Sequence, residues 1–470
     1  MPDSARADDS PLYWPIAKLI AAYRDRSLSP VEVYKQAEAR ADAFNSEMNV
    51  YVTRMSDLAK TQAEAAERAY RNHTAGPLAG VPVSIKDAFE VKGYLTTYGS
   101  LKYRDHISTQ DTGTAKRIRA SGAVMTGKTN TAEFGQSATT DNLLGPDTTN
   151  AWDTTRTSGG SSGGAASSVA AGLVSVGLGS DGGGSIRIPA AFSGVFGFKP
   201  SYGLVKDEGG GSAMDDFVCP GPLAHSVDDA RRLLNILAER SFTRKASGRG
   251  LKIAVCAAPE DRPVDAGVQA MFAQTMKRLG QTGHQLIEAD IPVAGWKDVF
   301  GPLVLYDELR ERGQYLDQDL AELTDYERVT LEAAKSLSDQ DVAGAKKLLL
   351  AYRARFDAYL SDFDAILTPT NSVPAFPIRQ RPLEIDGRKV SELWGAFPFT
   401  SPFNVAGTPA ASLPCGLVED LPVGLQVVMK QGQDEALLNL CEEIEDAIGF
   451  DNTPLKNRWR LPAAADVVVS

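Results

Sequence analysis

From Ser158 to Phe198 the chain reads SGGSSGGAASSVAAGLVSVGLGSDGGGSIRIPAAFSGVFGF, and no other stretch limits the fold so strongly. Of the 42 glycines, 16 fall between residues 159 and 211. Glycine enrichment among polar residues makes a flexible linker. Here the glycines alternate with small apolar residues that pack closely as a helix and a strand, so a linker is excluded. Three consecutive glycines precede Ser185, and their backbone N–H groups have no side chains to shield them. Such a turn directs several donors at one point, forming an anion nest.

The flanking sequence alternates between helical and strand periods. Ser29-Pro30 is an N-cap followed by a proline suited to a first helical turn, and VEVYKQAEARADAF continues with helical spacing. A second, alanine-rich helix runs from Ser56 to about Asn72. Val81, Val83 and Ile85 alternate as in a strand, and a helix over 112–120 closes at Gly122 before the short strand Ala123–Met125. Residues 251–292 read as a βαβ unit with its helix from Val264 to Leu279, and a long helical stretch is expected over roughly 295–362. Two strands, GTPAASLPCGL and PVGLQVVMK, precede a final helix at about 434–448. This alternation predicts an α/β fold: a single large mixed, largely parallel β-sheet core covered by helices on both faces.

Composition narrows the partners. A formal charge of −11 lacks the basic face that nucleic acid requires, so no nucleic-acid partner is expected. Cys219, Cys256, Cys415 and Cys441 are scattered without a C-x-x-C pair, which predicts reduced thiols in a cytoplasmic setting and no zinc site. The opening MPDSARADDS has neither the basic nor the apolar region of a signal peptide. No apolar run approaches the roughly 18–20 residues of a membrane span, so no membrane partner is expected either.

GAVMTGKT, residues 122–129, satisfies the phosphate-loop pattern G-x-x-x-x-G-K-[ST]. That loop needs a strand before its first glycine and a helix at its lysine. Here a helix precedes Gly122 and Ala123-Val124-Met125 is itself strand-like, so a loop around phosphate would expose three apolar side chains. The match is read as accidental.

Ser185, beside the nest, is placed to attack a carbonyl whose developing oxyanion the nest would hold. A hydroxyl needs a base to take its proton. His73, His106, His225 and His284 all lie outside motif-like settings, which leaves a lysine base. Lys86 ends the alternating strand, where burial would favour its neutral form.

GGSSGG followed by GGGSIRIP resembles the amidase signature family. The resemblance extends through GVPVSIKD, GKTNTAEFG, SGVFGFKPSYGLV and NVAGTPAASLPCG to PVGLQVV, nearly the whole chain. It implies a Ser-cisSer-Lys triad with Ser185 as nucleophile, Lys86 as base and Ser161 as the bridging serine, after a cis Gly160-Ser161 peptide. It also implies an oxyanion hole from the N–H groups of Gly182, Gly183, Gly184 and Ser185. Gly135 aligns with a substrate-contacting position, Gln136 is a candidate for the pocket lining, and Ser161 would also touch substrate. Asp181 and Arg187 are expected to pair and fix the turn. The family often carries Thr or a β-branched residue where this chain has Gly182, which leaves the loop less constrained.

The resemblance further implies one amidase domain over 1–470. Its parts are a helical segment (1–75), the catalytic core (78–240), the βαβ unit (251–292), a variable substrate region (295–400) and the C-terminal strands and helix (401–470). The expected partners are a small amide and water, with no cofactor or metal, and a homodimer is admissible. One branch of the family supplies ammonia for tRNA-dependent amidation and tends to carry an acidic residue shortly before NVAG. Here that lead-in is LWGAFPFTSPF. Trp394, Phe397 and Phe399 therefore predict an apolar pocket better suited to an aryl or alkyl amide than to glutamine. Related esters, hydrazides and carbamates stay open as substrates.

Overall fold

The computed structural model describes residues 8–207, 213–248, 250–318 and 320–461. Its strands are β1 (Tyr51–Arg54), β2 (Pro82–Lys86), β3 (Val124–Thr129), β4 (Val176–Asp181), β5 (Phe196–Lys199), β6 (Cys219–Ala224), β7 (Lys252–Val255), β8 (Gln285–Glu288), β9 (Ala365–Pro369), β10 (Glu384–Ile385), β11 (Arg388–Lys389), β12 (Ala410–Val418) and β13 (Leu421–Val428). Eleven form one mixed sheet in the order β1-β3-β2-β4-β6-β5-β12-β13-β9-β7-β8, and β10 pairs only with β11. Parallel pairing forms two blocks, β3–β2–β4 and β9–β7–β8. The neighbours between the blocks run antiparallel, as does β1 on β3. The link between β12 and β13 is too short for the crossover that parallel strands need.

Helices pack on both faces, and adjacent residues of single strands reveal it. Leu223 of β6 faces a cluster with Ala165, Ala166 and Val169 of the helix Gly163–Ala170. Its neighbour Ala224 faces Ala230, Leu233 and Leu234 of the helix Val227–Ala238. Ala254 of β7 likewise packs with Phe356 of the helix Asp339–Asp362, while Ile253 and Val255 turn to the main core. Successive side chains of a strand point to opposite faces, so both sides of the sheet are covered.

Local signals account for the helix ends. Ser29 Oγ accepts the Glu32 N–H at 3.2 Å and Glu32 returns the bond to the Ser29 N–H at 2.8 Å, a capping box ahead of Pro30. The expected continuous stretch over 295–362 is instead three helices, Lys297–Arg312, Asp325–Ala334 and Asp339–Asp362. Thr324 caps the second and a Ser338–Asp341 capping box starts the third, so each side chain restarts the helix and redirects the chain. No described helix is long and apolar enough to cross a membrane.

Six of the eight residues of the phosphate-loop match, Val124–Thr129, form β3, and all six are buried. Lys128 donates to Asp87 Oδ1 at 2.6 Å and to Thr96 Oγ1 at 2.7 Å, and both members of the ion pair are wholly inaccessible. A Cβ on Gly127 would sit 2.6 Å from Tyr51 Cδ1. This backbone is packed in a sheet and has no open loop for phosphate.

Candidate active site

The parallel register of β2 on β4, with Ile85 opposite Leu178, brings together the strand ends carrying Lys86 and Ser180. Lys86 is 1% exposed, and its Nζ donates to Ser161 Oγ at 2.7 Å and to Ser180 Oγ at 3.0 Å. Burial lowers its pKa from 10.5 to about 7 against the opposing pull of the Asp181 carboxylate. The amine is therefore substantially neutral near neutral pH, and a neutral amine this close to a hydroxyl can accept its proton.

Ser161 stands in the loop leading to the helix Gly163–Ala170, and the Gly160-Ser161 peptide is cis. A Cβ on Gly160 would lie 2.5 Å from the Thr139 carbonyl, so glycine is the residue this packing accepts. The loop is joined to the triglycine turn by the Ser162 N–H donating to Ser185 O at 3.1 Å, and by Ser162 Oγ donating to Ser180 O at 3.1 Å. Ser185 is half-buried and lines the same cavity of about 270 Å³ as Lys86 and Ser161. The hydroxyls of Ser161 and Ser185 are not hydrogen-bonded to each other among the described residues.

The turn itself is built on Asp181. Its carboxylate accepts Arg187 Nε and Nη2, each at 2.9 Å, and both residues are fully buried. Arg187 also donates to Thr400 O, Gln426 Oε1 and Asn404 Oδ1. Burial alone would raise the Asp181 pKa, but the Arg187 guanidinium holds the carboxyl well below the usual range. Asp181 thus stays ionised and fastens the turn, taking the Gly184 N–H at 2.7 Å and the Ile186 N–H at 3.2 Å. This corrects one expectation: the Gly184 N–H is committed to Asp181 and is unavailable to an oxyanion. The N–H groups of Gly182, Gly183 and Ser185 carry no hydrogen bond to a described residue. The Gly183 carbonyl accepts from Thr400 Oγ1 at 2.7 Å and Ser401 Oγ at 2.9 Å, which fixes the peptide plane beside those donors.

Two further expectations fail on side-chain direction. Gly135 lines the cavity and a Cβ there would approach Ser161 Oγ to 3.4 Å, but Gln136 turns away and donates to buried Glu308. The aromatic lead-in also lies elsewhere. Phe399 is in the main core, and Phe397 packs with Phe192 and Phe376. Trp394 borders a separate cavity with Trp296 and Lys297. The apolar walls around Ser185 come instead from Phe89, Tyr98, Phe134, Val205, Met214 and Val218. None of the four histidines lines this cavity.

Sequence reasoning missed Ser180, which shares Lys86 with Ser161, and the Asn404 and Gln426 clamp on Arg187. For Asn404 and Gln426 a signal was in hand, because both lie in the C-terminal motifs NVAG and PVGLQVV. For Met214 there was none.

A family model described as Amidase matches residues 32–438. A glutamyl-tRNA(Gln) amidotransferase subunit from Carboxydothermus hydrogenoformans is 32% identical over 93% of this chain and 98% of its own length. An acylamidase from Rhodococcus erythropolis is 31% identical over 92% of this chain and 95% of its own. Among solved structures, a bacterial aryl acylamidase of the amidase signature family aligns with a TM-score of 0.87 at 26% identity, covering 97% of this chain and all of that one. A crystal structure of an amidase gives a TM-score of 0.87 at 31% identity, over 93% of this chain and all of the other.

Proposed function

The chain belongs to the amidase family, and from that premise we propose that it hydrolyses the C–N bond of a small aryl- or alkyl-substituted amide through an acyl-enzyme on Ser185. Neutral Lys86 takes the Ser161 proton while Ser161 takes that of Ser185, whose Oγ attacks the amide carbon. The N–H groups of Gly182, Gly183 and Ser185 hold the oxyanion; one such donor is typically worth ~3 kcal/mol. Ser161 then delivers a proton to the leaving nitrogen, the C–N bond breaks and the amine departs. Water enters by the same relay, giving the carboxylic acid and free Ser185. The observation that carries this reading is the buried Lys86–Ser161 hydrogen bond of 2.7 Å opening onto the cavity that holds Ser185.

The apolar side chains among the walls favour an aryl or alkyl substituent, while Asp207 and Asp215, which line the same cavity, are the carboxylates that a glutamine ammonium would meet. A reading as one component of an amidotransferase stands second, on the 32% identity to such a protein. For that reason the expected absence of a nucleic-acid partner is not carried forward: one component of a complex need not itself bear the basic face that meets RNA. We also read the chain as one domain, since one sheet takes strands from both ends of it. The free cysteines favour a reducing compartment such as the cytoplasm.

Wild type and Ser185→Ala are incubated with a panel of aryl, alkyl and amino-acid amides that includes glutamine, and product acids and amines are read by mass spectrometry. Turnover of aryl or alkyl amides by wild type alone is expected. Equal turnover by both proteins refutes the mechanism, and turnover of glutamine alone favours the second reading.

A further inference from the structure

Gly182 carries no side chain at the start of the turn that leads to Ser185, and the space a side chain would take is not empty. A Cβ built there would overlap Met214 Sδ, and Met214 lines the cavity beside Ser185. The thioether therefore occupies the volume that a side chain at 182 would fill, but it arrives from a different loop. Met214 is held in a left-handed conformation, φ 79°, that a side chain rarely adopts. Its carbonyl accepts the Phe217 and Val218 N–H groups, at 2.9 and 3.1 Å. The next residue is pinned to the helix Lys297–Arg312: the Asp215 N–H donates to Asp307 Oδ2 at 2.8 Å and Arg310 Nη2 donates to Asp215 Oδ2 at 2.8 Å. An anchored loop thus pushes a flexible, unbranched side chain onto the turn that leads to Ser185.

We propose that Met214 is a specificity-determining residue, paired sterically with Gly182, which restricts the group on the attacked carbonyl to narrow, unbranched acyl chains. This rests on Ser185 being the nucleophile, so the test uses reagents that mark that serine irrespective of the natural amide. Ser185 Oγ displaces fluoride from a sulfonyl fluoride: the O–S bond forms, S–F breaks, and the serine proton leaves through Ser161. Labelling of Ser185 is followed by mass spectrometry with methanesulfonyl fluoride and with the wider phenylmethanesulfonyl fluoride.

Met214→Ala is expected to raise the wide-to-narrow rate ratio by about tenfold or more, the effect of one or two methylenes in a tight pocket. Met214→Val should shift it less, and Met214→Leu should leave it near that of wild type. Gly182→Thr should slow labelling by both reagents, and adding Met214→Ala to it should restore the narrow reagent. An unchanged ratio in Met214→Ala and Met214→Val, or a Gly182→Thr protein that labels like wild type, overturns the steric pairing. Failure of both reagents to mark Ser185 in wild type overturns the nucleophile reading itself, and the inference falls with it.

Discussion

Replacing Lys86 by methionine should abolish activity yet stabilise the protein, and the stabilisation should shrink as pH rises. The lysine is fully buried, and its pKa falls from 10.5 to about 7 on folding. Each pH unit of that displacement is 1.36 kcal/mol, so well below pH 7 holding the charged lysine in the fold costs roughly 5 kcal/mol. In the native state the group loses its proton above about pH 7, whereas in the unfolded chain it keeps it to 10.5. The unfolded state then binds more protons, so wild-type stability rises with pH across that window. The same linkage leaves a cost of about 2 kcal/mol at pH 9, so the gain from pH 6 to pH 9 is roughly 3 kcal/mol. Lys86→Met keeps much of the stem's packing and has no proton to lose. Urea unfolding of both proteins at pH 6 and pH 9 isolates the lysine, because other titrating groups cancel in the comparison. The variant's advantage should be largest at pH 6 and smaller by about 3 kcal/mol at pH 9. In parallel, wild-type kcat/KM should climb with pH to a plateau just above 7, while the variant loses at least ~10²-fold. A stability difference that does not vary with pH, or a kcat/KM that still climbs towards pH 10, would refute the argument that burial sets the state of this amine.

Further substitutions probe the scaffold. Asp181→Asn removes the partner of fully buried Arg187 and should cost about 3–5 kcal/mol in urea unfolding, because an uncompensated charge is left inside. The second substitution Arg187→Met should recover part of that loss. Lys128→Met orphans buried Asp87 next to Lys86 and should destabilise by a similar ~3–5 kcal/mol. Mg-ATP should leave the melting temperature of wild type unchanged, whereas a rise would reinstate the phosphate loop.

Local chemistry by itself determined much of this protein. The capping box at Ser29, the alternation of Val81, Val83 and Ile85, and the triglycine turn before Ser185 each act over a few residues of backbone. Helix, strand and anion nest could therefore be read from neighbours in the chain. The lack of a motif-like histidine pointed to Lys86, and β2 ends at that residue. What only the tertiary structure decided is where side chains and N–H groups spend their bonds. Gly184 belongs to an apparent nest, but Asp181, held by Asn404 and by an Arg187 that Gln426 clamps in turn, takes its N–H. Gln136 adjoins the cavity-lining Gly135 yet meets Glu308, 172 residues later in the chain. Met214 and Phe134 wall the cavity in place of Trp394 and Phe397. Such pairings depend on strand register and on loops anchored across the sheet. A spacing pattern carries no record of them, because partners brought in from elsewhere in the fold compete for the same donors and the same space.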